Sequence, residues 1–417
     1  MLFSPKRTAR LFLPMLAMLG LLAGCFWQET ETAPDYLMMD DSVYPYAGLP
    51  RVVIETEDFR EIRDRETEFD AYFQIYGETE AETAPMPLTV RGRGNSSFKM
   101  PKYGMKLEFT DKVSLLGMPK NRDWALIANF GDKTHLRNYM MYRLSDWLQV
   151  RYAPRCTFVE LYLNRKYMGL YLLSETVKVA KDRVNMAEGD SAFLFEKESD
   201  KKIDSPYITT KGGNTFHVKS PKNASEKSLE LLRTHLNEFE DFLNFGVNRN
   251  RFMHEWVDID DFVRYYWVQE FAKNEDANFS RSIFMTWQVG GTIHFGPLWD
   301  FDLGFGNASC EPNSPPEDWY VRRYRWFYYI VHSDQVKPAV EDFWAAHHDK
   351  FRALIDSVPL YRGIIEKAID NEYRRWPVLQ NTENWALKDP YETYDEAVSA
   401  MVDWMRKRYD WINSNFR

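Results

Sequence analysis

The chain is 417 residues long, with a formal charge of −9, 44% hydrophobic and 28% charged residues, and 14 Trp, 24 Tyr and 28 Phe. That length is ample for a large core, and the composition is that of a folded chain, not a disordered one. The acidic balance excludes a general nucleic-acid binder, whose phosphate contacts need a basic footprint.

Lys6, Arg7 and Arg10 precede a charge-free run from Leu11 to Gly24, the pattern of an export signal. A bilayer-spanning helix needs ~20 apolar residues, more than this run supplies. It closes on Leu22-Ala23-Gly24-Cys25, which resembles the lipobox of bacterial lipoproteins. The expectation is a signal over residues 1–24 and a lipidated Cys25 that anchors an extracytoplasmic chain to the membrane. A non-cleaved anchor is the alternative. Phe26 stands where retention signals put Asp, so the outer membrane is the expected address if the cell has one. Residues 25–48, acidic and broken by Pro34 and Pro45, read as a tether. Cys156 and Cys310 are too few for a zinc cluster or a disulfide scaffold, and either pair or stay free.

Apolar residues alternate at period two in Arg51–Glu55, Phe69–Tyr76, Leu88–Arg91 and Met105–Phe109, which predicts strands. A helix follows, with Asp132 as its N-cap and Leu136, Tyr139, Met140, Arg143, Leu144 and Trp147 at helical spacing. Phe158–Leu163 and Met168–Leu173 flank a turn at Asn164-Arg165-Lys166 and predict a hairpin. Helical periodicity takes over in Leu229–Phe245 and Phe262–Phe271, the second opened by Asp258 and Asp261 as a capping pair. A second hairpin, Ser282–Gln288 with Thr292–Phe295 around Gly290-Gly291, precedes three or four amphipathic helices between Tyr320 and Asn415. Their aromatic residues read as core. The order predicts an α+β chain: a β-rich lobe with one helix, then a mainly helical lobe.

The densest carboxylate cluster lies in Pro297-Leu298-Trp299-Asp300-Phe301-Asp302-Leu303-Gly304. Two Asp two residues apart on extended chain face the same way, so both can meet one cation. Upstream, Asn274-Glu275-Asp276-Ala277-Asn278 ends a helix and precedes the hairpin. Singly, Asp276 and Asn278 read as a helix stop and Asp302 as a turn residue. Jointly, helix, Asp276 and Asn278, hairpin, Asp300 follow the order of a protein kinase, where the catalytic-loop Asp and Asn precede two strands and the metal-binding Asp of D-F-G. Asp302-Leu303-Gly304 mimics D-F-G as well, so either Asp can be the principal ligand. In the first half, Arg91-Gly92-Arg93-Gly94-Asn95-Ser96-Ser97 offers amides, hydroxyls and guanidinium groups suited to phosphate. Lys106 alternates with Met105 and Leu107, as does the strand lysine that a kinase sets on its phosphates.

These motifs together resemble the spore-coat protein H kinases, the CotH family, from Leu88 to Gly306. The match adds Asp123-Trp124, Asp132-Lys133, Arg137-Asn138 and the Gly169 to Glu175 segment. The resemblance implies an atypical protein-kinase-like, two-lobed fold over residues 49–417, with lobes meeting near residue 220, that uses ATP with magnesium, or manganese, to phosphorylate Ser or Thr of partner proteins in the envelope or at the cell surface. By position, Asp276 is the catalytic acid, Asp300 and Asp302 with Asn278 hold metal, and Arg93, Asn95, Ser96, Lys106 and Arg137 meet the nucleotide. The predicted helix after Asp132 has no Glu to pair with Lys106, so Glu175 takes that place. The rival readings are a non-catalytic surface scaffold or adhesin and a glycan hydrolase with paired carboxylates.

Overall fold

The computed structural model describes residues 39–198, 205–245, 252–308, 315–383, 387 and 389–417. The expected signal, Cys25, most of the tether and Cys310 lie outside them.

Seven strands come first: β1 (Arg51–Thr56), β2 (Phe69–Tyr76), β3 (Met86–Arg93), β4 (Gly104–Val113), β5 (Asn121–Ile127), β6 (Cys156–Leu163) and β7 (Lys166–Glu175). They close into a barrel in the order β1-β2-β3-β4-β5-β7-β6, sealed by parallel pairing of β1 with β6. Closure leaves no exposed strand edge. The period-two pattern explains the filling: Met105, Leu107 and Phe109 point into the barrel core, and Lys106 and Glu108 stay on its outside. Helix α1 (Arg137–Trp147) lies between β5 and β6. It begins later than the sequence suggests, yet Asp132 still serves it, its Oδ2 accepting from the Arg137 amide at 3.0 Å.

A second sheet contains β8 (Ala192–Lys197), β9 (Tyr207–Thr209), β10 (Thr215–Ser220), β11 (Ile283–Gln288) and β12 (His294–Phe295), in the order β12-β11-β8-β10-β9. Helices α2 (Glu226–Phe245), α3 (Ile259–Ala272), α4 (Arg325–Val331), α5 (Lys337–Asp356), α6 (Val358–Arg375) and α7 (Tyr394–Asn415) complete the described chain. Asp258 caps α3 as expected, accepting from the Asp261 amide at 2.9 Å. The aromatic residues of the last helices, including Trp344, Phe351 and Tyr409, are core.

The kinase-like two-lobed expectation is overturned. The first strands form a closed barrel, and the second sheet joins β8–β10 to β11–β12, with Lys197 opposite Ile283, across the place where the two lobes were to part. Local alternation marks a strand but not its partner, so chain order alone does not show which strands share a sheet.

Helix α6 is bolted to the barrel by a buried ion pair. Lys102 donates to Glu372 Oε1 at 2.7 Å and to the Leu170 carbonyl at 2.6 Å, and Glu372 Oε2 accepts from the Leu170 amide at 2.7 Å. His135 Nε2 lies 3.6 Å from the same carboxylate, and burial pushes the imidazole down to about 4 from 6.5. The unfolded chain therefore takes up a proton near pH 6.5 that the folded chain refuses until about pH 4. The stability this neutral imidazole supports is full above the unfolded value and is lost as pH falls through that window, on the order of 3 kcal/mol. Urea melts at pH 7 and at about pH 4.5 should show His135→Asn losing less stability than the wild type, since Asn tolerates the left-handed φ of 57° at this position. Parallel losses in the two proteins would reject the assignment.

Candidate active site

One cleft of about 1490 Å³ is lined by the outer face and mouth of the barrel, by the second sheet and by the acidic segments. That exceeds the ~300–1,000 Å³ of ordinary small-ligand pockets. Arg93, Asn95, Ser96, Lys106, Asp276, Asp300 and Asp302 all line it, although they come from segments some two hundred residues apart. Arg137, Glu175 and Asn278 are not part of that lining.

Asp276 sits in the 3-10 turn Glu275–Ala277 that follows α3, which ends when Lys273 turns left-handed at φ 44°. Asn274 binds both acidic stretches: its Oδ1 accepts from the Asp276 amide at 3.4 Å and its Nδ2 donates to the Asp300 carbonyl at 3.1 Å. Asn138 of α1 accepts from the Phe301 amide at 2.7 Å. Asp300 itself has φ 65°, a conformation few non-glycine residues adopt, and these two asparagines hold it from either side.

Arg137 lies beneath this loop. Its side chain pairs with Asp132, and it donates to the carbonyls of Gly304 at 2.9 Å and Phe305 at 3.3 Å. The expected phosphate contact is thus replaced by a buried clamp on the backbone that carries Asp300 and Asp302. Glu175 is likewise committed elsewhere. Arg155 grips it at 2.8 and 3.0 Å, Tyr152 donates to it at 2.9 Å, and Arg183 stands 3.9 Å away. Lys106 instead meets Glu108 at 2.6 Å, Glu68 at 3.9 Å and Asp123 at 4.0 Å.

Burial pushes the carboxyls of Asp276 and Asp302 well above the usual carboxylate range, and the charge on Asp300 pushes both further. Arg281, 3.3 Å from Asp276, opposes the rise there. Burial also raises Asp300, against the Asp302 hydrogen bond and the nearby Arg93 and Arg281. Glu198, just past β8, lines the same cleft and adds its charge to Asp276 and Asp300. Buried like charges of this kind are satisfied by protons or by a cation. All the donors are hard oxygens suited to magnesium or manganese, and the Asn278 Oδ1 is buried with no hydrogen-bond partner. These residues therefore fit a divalent ion. Among the described residues the triad closed within 4.8 Å is Asp258, Asp261 and His294, which lies away from the cleft. Arg151 and Arg264, each 3.8 Å from Asp261, already offset its charge.

Opposite the acids, the Arg93 guanidinium lies over the Trp299 ring, 4.5 Å from its centroid. Arg65 donates to the Gly94 carbonyl at 2.9 Å and to Asn95 Oδ1 at 3.0 Å, which fixes the loop. Glycine is required at 92, where a Cβ would stand 2.1 Å from the Phe98 ring and 2.6 Å from the Asp64 carbonyl. Lys178, paired with Asp123, along with Arg281 and Glu198, was not singled out from sequence, and Asn138 entered only as part of the Arg137-Asn138 match, with no role. Arg281 had one available signal, its place between Asp276 and the hairpin.

The family model described as CotH kinase protein matches residues 90–412, about three-quarters of the chain. The chain belongs to the CotH kinase family. None of the curated proteins compared with it matches. Membership suggests, at the level of the family, a CotH-type kinase that uses ATP and a divalent metal. The matched segment contains every sequence-predicted residue that lines the cleft, from Arg93 to Asp302, while Arg65 and Glu68 precede it.

Proposed function

We propose that the chain is an extracytoplasmic kinase that transfers the γ-phosphate of ATP to Ser or Thr of surface or envelope proteins. The observation that carries this reading is the convergence of Asp276, Asp300 and Asp302 with the Arg91–Ser97 loop and Lys106 on one cleft. In this reading Arg93 and Lys106 offset phosphate charge while Asn95 and Ser96 offer hydrogen bonds. Asp300 and Asp302, with the unpaired Asn278 Oδ1 as a further ligand, would hold magnesium or manganese, and that ion would neutralise charge developing on the transferred group. Asp276 would orient the acceptor hydroxyl and take its proton, with Arg281 favouring its ionised form. The reading includes lipid anchorage through Cys25, so a Cys25→Ser chain should leave the membrane fraction.

Incubation of the purified full chain in detergent with labelled ATP, magnesium or manganese, and envelope extract tests the reading. Label should enter Ser or Thr, and MgATP should stabilise the folded chain by about 2.7 kcal/mol at a concentration of a hundred times its Kd. A chain that MgATP neither stabilises nor labels would be a scaffold instead. Metal-independent release of sugar from envelope glycans would favour the hydrolase.

A further inference from the structure

Tyr142, on α1, lines the cleft but is only 2% exposed, and its hydroxyl has no hydrogen-bond partner. An unpaired buried hydroxyl is unfavourable, and such groups in folded proteins commonly await a ligand or water. The Tyr142 ring leans on Trp299 with centroids 5.8 Å apart, and Arg93 lies over that same indole. The charges of Asp300 and Arg93 both reach the Tyr142 hydroxyl, as do Cys156 and Tyr152. Burial pushes this phenol well above its usual range, so it stays protonated and acts as a donor. Among the described residues Arg93 makes no ion pair within 4.0 Å, although the charges of Asp300 and Glu196 reach it, so its guanidinium is also available to an anion.

We propose that Tyr142 and Arg93, both seated on Trp299, form an anion subsite that takes an oxygen of the terminal phosphoryl group of a nucleoside triphosphate. The subsite rests on the nucleotide reading above. It assigns Tyr142 a direct substrate contact that lets the cleft tell a triphosphate from a diphosphate.

Tyr142→Phe retains the ring and its packing and removes only the hydroxyl. Calorimetric titration of the full chain in detergent should show MgATP affinity falling about tenfold and MgADP affinity changing less than twofold. The ligand-free variant should melt no lower than the wild type, because the deleted hydroxyl has no partner to lose. Unchanged MgATP affinity, equal losses for MgATP and MgADP, or a lower melting temperature would each overturn the subsite. In the first and second of these outcomes the wild type still binds nucleotide and the kinase reading survives. Absence of MgATP binding by the wild type would remove both.

Discussion

Asp300→Asn should lower phosphoryl transfer by the purified chain on the order of 10³-fold or more, the scale on which a group stabilising transition-state charge acts. Asn is the informative replacement because it tolerates the left-handed φ of 65° and keeps a side-chain oxygen where Asp300 has one. The same change should raise the melting temperature of the metal-free protein. Burial and neighbouring acids hold Asp300, Asp276 and Asp302 above the ordinary carboxylate range. For acids shifted upward, the folded state pays for ionisation that the unfolded chain undergoes freely near pH 4, so stability declines as pH rises from there toward the folded values. Removing one acid lessens that penalty, and the variant's advantage should grow with pH in chelated buffer. Thermal melts with and without manganese provide the complementary readout: the wild type gains stability from the ion and Asp300→Asn loses most of that gain. A variant that phosphorylates at the wild-type rate, or that keeps the full manganese shift, would remove Asp300 from the metal site.

Arg137→Met should destabilise the protein by about 3–5 kcal/mol, because removing one member of a buried ion pair strands the other. Here the stranded partner is Asp132, which is fully buried. The loss would also free the carbonyls of Gly304 and Phe305 and loosen the loop that holds Asp300 and Asp302. Urea midpoints measure this directly. The contrary outcome is equally clear: an unchanged midpoint with weakened nucleotide binding would return Arg137 to the role of a phosphate ligand. Asp132→Asn keeps only one acceptor oxygen, so the Thr134 amide, 2.9 Å from Asp132 Oδ1, stays paired while the Arg137 amide, 3.0 Å from Oδ2, loses its acceptor.

Much of the local structure was legible without coordinates. Alternation at period two located β1 to β4 and the β6–β7 hairpin, and the capping pattern located the start of α3. It did not reveal β5, whose Asn-Arg-Asp-Trp-Ala-Leu-Ile run does not alternate, or β8, which is buried along its whole length and so shows no polar face. The acids and the glycine loop stood out because clustered carboxylates and glycines have few other uses. Arg137 and Glu175 were misplaced for the opposite reason: a charged side chain awaiting a ligand and one sealed in an ion pair look the same as letters.

What sequence alone determined was therefore the kind of element at each stretch and the chemistry each could offer, both of which depend on neighbours a few residues away. Tertiary structure decided that the strands close into a barrel, that β8 joins β11, and that Arg137 clamps a loop while Tyr142 faces the cleft. Those outcomes depend on which distant groups exclude water together, and pairing across a hundred or more residues leaves no periodic trace in the chain.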